Sequence, residues 1–102
     1  KALSFPHNGV AATIAGRRLD MRSEVGRLSR RIVIQGDTAS TNIKFGGHVM
    51  IMQGGAAQLD GVEFVRMGQF NKLGRYPFHW HLLGDASGQY IRNCAVHTSF
   101  QR

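Results

Sequence analysis

The most informative stretch of this chain is Gly74-Arg75-Tyr76-Pro77-Phe78-His79-Trp80-His81-Leu82-Leu83-Gly84-Asp85. Large apolar side chains alternate in it with polar or basic ones, so that Phe78 and Trp80 share one parity and His79 and His81 share the other. Successive side chains of an extended strand point to opposite faces of the sheet. The alternation therefore predicts a strand with one buried apolar face and one face that carries two imidazoles, bounded by glycine turns.

The composition limits the classes of protein to consider. A length of 102 residues allows at most one ordinary domain, and the 13 glycines indicate many turns between short elements. The formal net charge is +7, with ten arginines against three lysines. Arginine presents a planar donor fork that suits carboxylates and phosphates, so an anionic polymer is the expected partner, either an acidic polysaccharide or a nucleic acid. The alternative, that scattered basic residues only keep the surface soluble, stays open.

Several familiar motifs are absent from the sequence. The single Cys94 excludes an internal disulfide. The chain has no Gly-x-x-x-x-Gly-Lys loop, no Cys-x-x-Cys pair and no Gly-x-Ser-x-Gly elbow. Nucleotide-binding, structural-zinc and serine-hydrolase functions therefore lack support.

Short apolar and β-branched runs recur along the chain and predict strands between glycine turns. The predicted strands are Arg31–Asp37, Gly46–Gly55, Leu59–Val65, Gly74–Asp85 and Tyr90–His97. They superpose as two interleaved series at an offset of about 31 residues, and no amphipathic helix of about ten or more residues is predicted. These features favour an all-β fold, specifically a parallel β-helix of which about three rungs are present. An antiparallel β-sandwich also uses short alternating strands, but it gives no reason for a common offset.

The offset places residues of neighbouring rungs side by side. The predicted neighbours are Val49 with Trp80, Ile51 with Leu82, and His48 with His79. The first two pairs are expected to point inward and the histidine pair outward. Two further inward ladders are predicted, namely Ile32–Val62–Cys94 and Ile34–Phe64–Val96. In this register Cys94 is a small core residue, as free cysteines commonly are.

On the outer face the sequence predicts a histidine cluster of His48, His79 and His81, with Arg75 and Asp85 at its edges. A His-x-His pair on a strand places two ring nitrogens on one side, which suits acid–base work or metal binding. A third imidazole would complete a three-ligand site with one open position, which makes a divalent cation the candidate cofactor. The alternative is that these imidazoles only form hydrogen bonds within the sheet, and one His-x-His pair does not choose between the two.

Several blocks of the chain resemble, in the same order, blocks of a family of large extracellular proteins. The blocks are Arg22–Gly36, Phe45–Met50, Gly61–Phe64 with Arg66–Gln69, Gly74–His81, and Tyr90–Cys94 with His97 and Ser99. The family comprises cell-migration-inducing hyaluronan-binding proteins, a cell-surface hyaluronidase and fibrocystin-type proteins, and the resemblance spans about residues 19–102. The chain departs from the usual pattern at Trp80 and at Arg31, and neither departure breaks it.

The resemblance implies a right-handed parallel β-helix of the pectin-lyase-like kind, downstream of a G8-type β domain. Residues 1–102 would then be one fragment of a longer extracellular or cell-surface protein, with residues 1–18 as a candidate tail of the preceding domain. For the hyaluronan-binding proteins and the hyaluronidase of this family it also implies binding and depolymerisation of hyaluronan, a polyanion that suits the arginine excess. Fibrocystin-type members share the blocks without an established glycosidase role. We therefore expect an acidic polysaccharide and the remainder of the longer chain as partners, and no nucleic acid.

Two functions follow as hypotheses. The first is a glycosidase, which ordinarily needs two carboxylates, and the candidate catalytic residues are Glu63, Asp85, His79 and His81. Its candidate substrate-binding residues are Arg75, Arg92 and His97. The second is a structural or adhesive module in a cell-surface or ciliary glycoprotein, in which the same residues only hold the fold together. Fold alone does not choose between them.

Overall fold

The structure is a computed structural model that describes residue 6 and residues 9–101. Within that range the chain forms nine short strands and one short helix. The elements are β1 (Ala11–Ile14), β2 (Arg17–Asp20), β3 (Ile32–Gln35), α1 (Thr38–Ile43), β4 (Val49–Ile51), β5 (Gln58–Asp60), β6 (Val62–Val65), β7 (Phe78–Trp80), β8 (Tyr90–Arg92) and β9 (Ala95–His97). The candidate domain tail at residues 1–18 includes residues 1–5, 7 and 8, which lie outside the described residues.

The strands form four small sheets. β1 and β2 are an antiparallel hairpin around a turn at Ala15 and Gly16. β3, β6 and β9 form a three-stranded parallel sheet with β6 in the middle. β4 pairs with β7 and β5 pairs with β8, both in parallel. No helix in residues 9–101 is long and apolar enough to cross a membrane.

The predicted right-handed parallel β-helix of about three rungs is wrong, although the all-β class agrees with the structure. The sheets are small and separate, one of them is antiparallel, and the described strands form no closed solenoid. Gly61 and Asn93 have φ angles of 68° and 51°. These left-handed residues divide each of the predicted strands Leu59–Val65 and Tyr90–His97 into two strands that belong to different sheets. The common offset of about 31 residues therefore reflects the parallel pairing of individual short strands, not stacked turns of a β-helix.

The register of the three-stranded sheet agrees with the predicted ladders. Ile32 pairs with Val62, and Ile34 pairs with Phe64, which in turn pairs with Val96. Cys94 packs against the core as predicted. Its Sγ atom accepts a hydrogen bond from the backbone N–H of Val62 at 3.4 Å.

The predicted register of the second series is wrong by two residues. Val49 pairs with Phe78 rather than with Trp80, and Trp80 pairs with Ile51. A shift by an even number of residues preserves the faces of the residues that pair in β4 and β7. Phe78 and Trp80 share one side and pack edge to face, while His79 lies opposite Met50 on the other side. The pair predicted between His48 and His79 is therefore not a pair in the ladder.

The core is centred on Phe64, which is fully buried. The Phe78 ring packs against it with its centroid 6.0 Å away. Because β6 has a strand on both sides, its apolar side chains are buried, whereas Ile32 on β3 is 58% exposed and Val96 on β9 is 48% exposed. Leu82, predicted to point inward, is 85% exposed and has a φ angle of 47°.

The helix α1 was not predicted. The side chain of Asp37 accepts a hydrogen bond from the backbone N–H of Ser40 at 2.8 Å and so caps its first turn. The helix ends at Ile43 and is followed by its C-cap Lys44, whose left-handed φ angle is 52°. A helix of six residues is too short to show an amphipathic repeat, which is why periodicity did not reveal it.

Candidate functional site

An open groove of about 600 Å³ lies where the segment before β3 passes the corner between β5 and β6. We call it the arginine groove, and it is lined by Arg27, Ser29, Arg30, Arg31, Ile32, Asp60, Gly61 and Asn93. Three guanidinium groups and one carboxylate are therefore the charged groups of its lining.

Arg30 anchors the groove to the sheets. Its Nε atom donates to the backbone carbonyl of Asn93 at 2.5 Å, and its Nη1 atom donates to the carbonyls of Arg27 and Ser29 at 2.5 and 3.0 Å. Its backbone N–H donates to Oε2 of Glu63 at 2.8 Å. The segment before β3 contains no helix or strand, so these four hydrogen bonds fix its course.

The carboxylate of the arginine groove is neutralised within the chain. Asn93 donates its Nδ2 to Oδ1 of Asp60 at 2.8 Å, and Arg92 donates its Nε to Oδ2 at 2.9 Å. These hydrogen bonds, that of Asn93 first, hold the pKa of Asp60 below its ordinary value. The guanidinium of Arg92 also lies over the Tyr90 ring, 4.4 Å from its centroid. Because Arg92 compensates Asp60, the positive charges of Arg27 and Arg31 have no ion-pair partner among residue 6 and residues 9–101.

Arg27 and Arg31 differ from Arg30 in their contacts. The Nε atom of Arg27 donates to the Ser29 hydroxyl at 3.3 Å. Arg31 is exposed, and its side chain has no hydrogen bond or ion pair with any part of the chain that the structure describes. Its donors are available to an external anion.

Beside the arginine groove, Glu63 and His97 form a half-buried pair. Nε2 of His97 lies 2.8 Å from Oε1 of Glu63, and because an ionised carboxylate only accepts, this nitrogen carries the proton. Nδ1 of His97 lies 3.1 Å from the Thr98 hydroxyl. The hydrogen bond from His97, and next that from the backbone of Arg30, lower the pKa of Glu63.

The histidine cluster predicted from the sequence is brought together on the outer side of β7. The rings of His79 and His81 pack edge to face with centroids 5.6 Å apart, and the Tyr76 ring lies 5.1 Å from His79. Nη1 of Arg75 donates to Nε2 of His48 at 2.6 Å. Burial, and then the charges of His81 and His48, lower the pKa of His79. Both ring nitrogens of His79 are buried without a hydrogen-bond partner among the described residues.

The cluster does not have the arrangement of a metal centre. Within residue 6 and residues 9–101, no group of three or more His, Cys, Asp or Glu side chains is placed to hold a metal ion. The Nε2 lone pair of His48 is already taken by Arg75. The three imidazoles therefore gather as predicted, but without a common point at which their lone pairs meet.

The two predicted catalytic carboxylates, Glu63 and Asp85, take part in separate hydrogen-bond networks. The side chain of Asp85 accepts hydrogen bonds from the backbone N–H and the hydroxyl of Ser87 at 2.8 and 2.6 Å. These hydrogen bonds close a turn, as Asp side chains commonly do. Those bonds lower the pKa of Asp85, as the His97 contact lowers that of Glu63. A glycosidase acid needs a raised pKa, and both carboxyls are shifted the other way.

The sequence patterns did not predict the arginine groove. The signal was present, since six of the ten arginines fall within residues 17–31. The part that no local pattern encodes is the contact of this segment with Asp60 and Asn93, which lie about 30 and 60 positions further along.

The fold and the site together define an all-β module with an arginine-lined external groove. The family model described as CEMIP beta-helix matches residues 44–102, more than half of the chain, and the chain belongs to that family. The family resemblance predicted from the residues is thus confirmed.

Curated relatives agree with this assignment. A G8 domain-containing protein of Dictyostelium discoideum is 46% identical over 84 residues, covering 81% of this chain and 6% of the relative. The mouse cell migration-inducing and hyaluronan-binding protein is 40% identical over 105 residues, covering 82% of this chain and 8% of the relative. Human cell surface hyaluronidase CEMIP2 is 38% identical over 103 residues, covering 82% and 7%. The chain thus spans less than a tenth of the length of these relatives. No solved structure matches it.

Proposed function

We propose that this chain contributes an anion-binding surface for an acidic polysaccharide of the hyaluronan type. The observation that carries the proposal is the arginine groove, in which Asp60, the one carboxylate among the described lining residues, is compensated by Arg92 and Asn93. The groove therefore presents uncompensated guanidinium groups, which bind carboxylates through paired hydrogen bonds. The names of two relatives, one hyaluronan-binding and one a hyaluronidase, support the same class of ligand.

The groove suits a polymer better than a small enclosed ligand. It is open to solvent, so a polymer chain can lie across it. We propose that the chain acts as part of a longer extracellular or cell-surface protein, as the name of the human relative supports. The remainder of that protein would then be a further partner.

Cleavage of the polymer is a property separate from binding. The pKa values of Asp60, Glu63 and Asp85 are all lowered by hydrogen bonds. None of these carboxyls is therefore prepared to act as the proton donor that glycosidic cleavage requires. Binding is the activity that the described residues support best.

The test is a binding series with the full-length protein. Immobilised hyaluronan should retain it, uncharged dextran should not, and increasing NaCl should release it, because screening weakens exposed ionic contacts. The same samples, with and without divalent cations, are run on a gel to measure the length of the hyaluronan. Absence of salt-sensitive binding would refute the proposal and favour the structural role, whereas shortened hyaluronan would add cleavage to it.

A further inference from the structure

We infer that the arginines of the groove have different tasks: Arg31 makes the principal contact with the polymer carboxylate, and Arg30 is a positioning residue. This inference rests on the proposed function and deepens it. It follows from which guanidinium donors are already occupied within the chain.

Arg30 cannot bind a carboxylate through two nitrogens without losing hydrogen bonds that it already makes within the chain. A guanidinium holds a carboxylate through two neighbouring nitrogens, either Nη1 with Nη2 or Nε with Nη2. In Arg30 the single hydrogen of Nε is donated to Asn93, and the two hydrogens of Nη1 serve the carbonyls of Arg27 and Ser29. Each possible pair therefore includes a nitrogen that is already in use.

Arg31 has the opposite properties. Its guanidinium is exposed and has no partner among residues 9–101, so both of its bidentate edges are available. Its backbone lies between the anchored Arg30 and the first residue of β3. A side chain mounted on a fixed backbone loses less freedom on binding than one on a mobile loop. Arg27, whose Nε is engaged with Ser29, retains one bidentate edge and is a secondary contact.

The nearby acidic group does not compete for Arg31. Asp60 is the carboxylate of the lining, and both of its oxygens accept hydrogen bonds, one from Asn93 and one from Arg92. Arg31 is thus left to an external carboxylate. The ligand class is therefore a polymer that carries uronic acid carboxylates.

The experiment compares variants of the full-length protein in binding to hyaluronan oligosaccharides over a range of NaCl. Arg31→Gln should weaken binding about ten- to hundredfold, because the variant loses the charge-assisted hydrogen bonds of the guanidinium to the polymer carboxylate. It should also reduce the slope of log affinity against log salt concentration by about one, because one ionic contact is lost. Arg18→Gln is the matched control, because Arg18 is an exposed arginine of β2 whose guanidinium likewise has no partner in the described part of the chain. The control should bind within about twofold of the unmodified protein, as expected for a surface charge outside the site.

Arg30→Lys tests the positioning role, because it keeps the charge but lacks the planar fork. It should weaken binding without changing the salt slope, and it should accelerate amide hydrogen exchange in residues 27–31. Arg31→Gln should leave that exchange unchanged.

Equal losses in Arg31→Gln and Arg18→Gln would overturn the inference while leaving the proposed function in place. A reduced salt slope in Arg30→Lys would also overturn it, because Arg30 would then contact the ligand itself. Absence of hyaluronan binding by the unmodified protein would overturn both the inference and the proposed function.

Discussion

His97 on β9 donates a hydrogen bond from Nε2 to Oε1 of Glu63 on β6, at 2.8 Å. The other oxygen of the same carboxylate accepts the backbone N–H of Arg30. One side chain on the middle strand therefore joins the edge strand to the segment that carries the arginine groove. Disturbing Glu63 should affect both the sheet and the groove.

The first prediction concerns Glu63→Gln. The substitution removes the charge that His97 and Arg30 recognise, so the melting temperature should fall at neutral pH. The pKa of Glu63 is lower in the folded state than in the unfolded chain. The ionised carboxylate therefore stabilises the fold above the unfolded pKa of about 4.3. This stabilisation is lost as the pH falls through the lower pKa of the folded state. The acid limb of the stability curve should therefore be flatter in Glu63→Gln. Glu24→Gln, at an exposed position, is the control, and equal curves for both variants would contradict the prediction.

The second prediction concerns His79, whose ring nitrogens are buried without a hydrogen-bond partner among the described residues. Burial and the neighbouring His81 and His48 lower its pKa in the folded state. The unfolded chain then binds a proton more readily, so stability should decline as the pH falls below about 6.5. His79→Phe keeps a planar ring beside Tyr76 and removes the titration. Thermal melts between pH 8 and pH 5 measure the effect, and an unchanged decline in the variant would show that another group causes it.

The third prediction concerns the core. Phe64 is fully buried at the centre of the three-stranded sheet, and truncating such a phenylalanine to alanine costs about 3–5 kcal/mol. Denaturant unfolding of Phe64→Ala should show a loss of this size. Phe45→Ala removes the same atoms from a side chain that is 48% exposed and should cost much less. Similar losses in the two variants would mean that the core is not centred on Phe64.

The fourth prediction concerns Gly46. A Cβ atom at this position would overlap the backbone carbonyl of Arg66, and backbone atoms cannot turn aside as a flexible side chain can. Gly46→Ala should therefore destabilise the fold by about 1–3 kcal/mol, the usual cost of overpacking. Gly26→Ala is the matched control, since nothing lies within 4 Å of its added Cβ. Equal melting temperatures for the two variants would show that the contact relaxes freely.

The sequence predicted the local faces of the strands better than their assembly. The alternation correctly placed Phe78 and Trp80 on one side of the strand and His79 on the other, because the two-residue period of a strand depends on the backbone alone. All three residues are nevertheless half-buried. The register of β4 with β7 was wrong by two residues. An even shift leaves the apolar pattern unchanged, so the pattern holds no information with which to detect it.

The assembly of the strands and the arginine groove depended on contacts that local patterns do not encode. The left-handed conformations at Gly61 and Asn93 divide strands that appear continuous in sequence. Asn93 also accepts the hydrogen bond from Arg30, a contact between residues 63 positions apart. Composition revealed the arginine excess, but only the fold shows which guanidinium groups are occupied and which remain available.

The most direct test of the binding claim is the hydrogen-exchange footprint of hyaluronan oligosaccharides on the full-length protein. The arginine groove predicts slower amide exchange in residues 27–31 and around Asn93, with no change at His79 and His81. Unchanged exchange in residues 27–31, or protection confined to the histidine cluster, would contradict it.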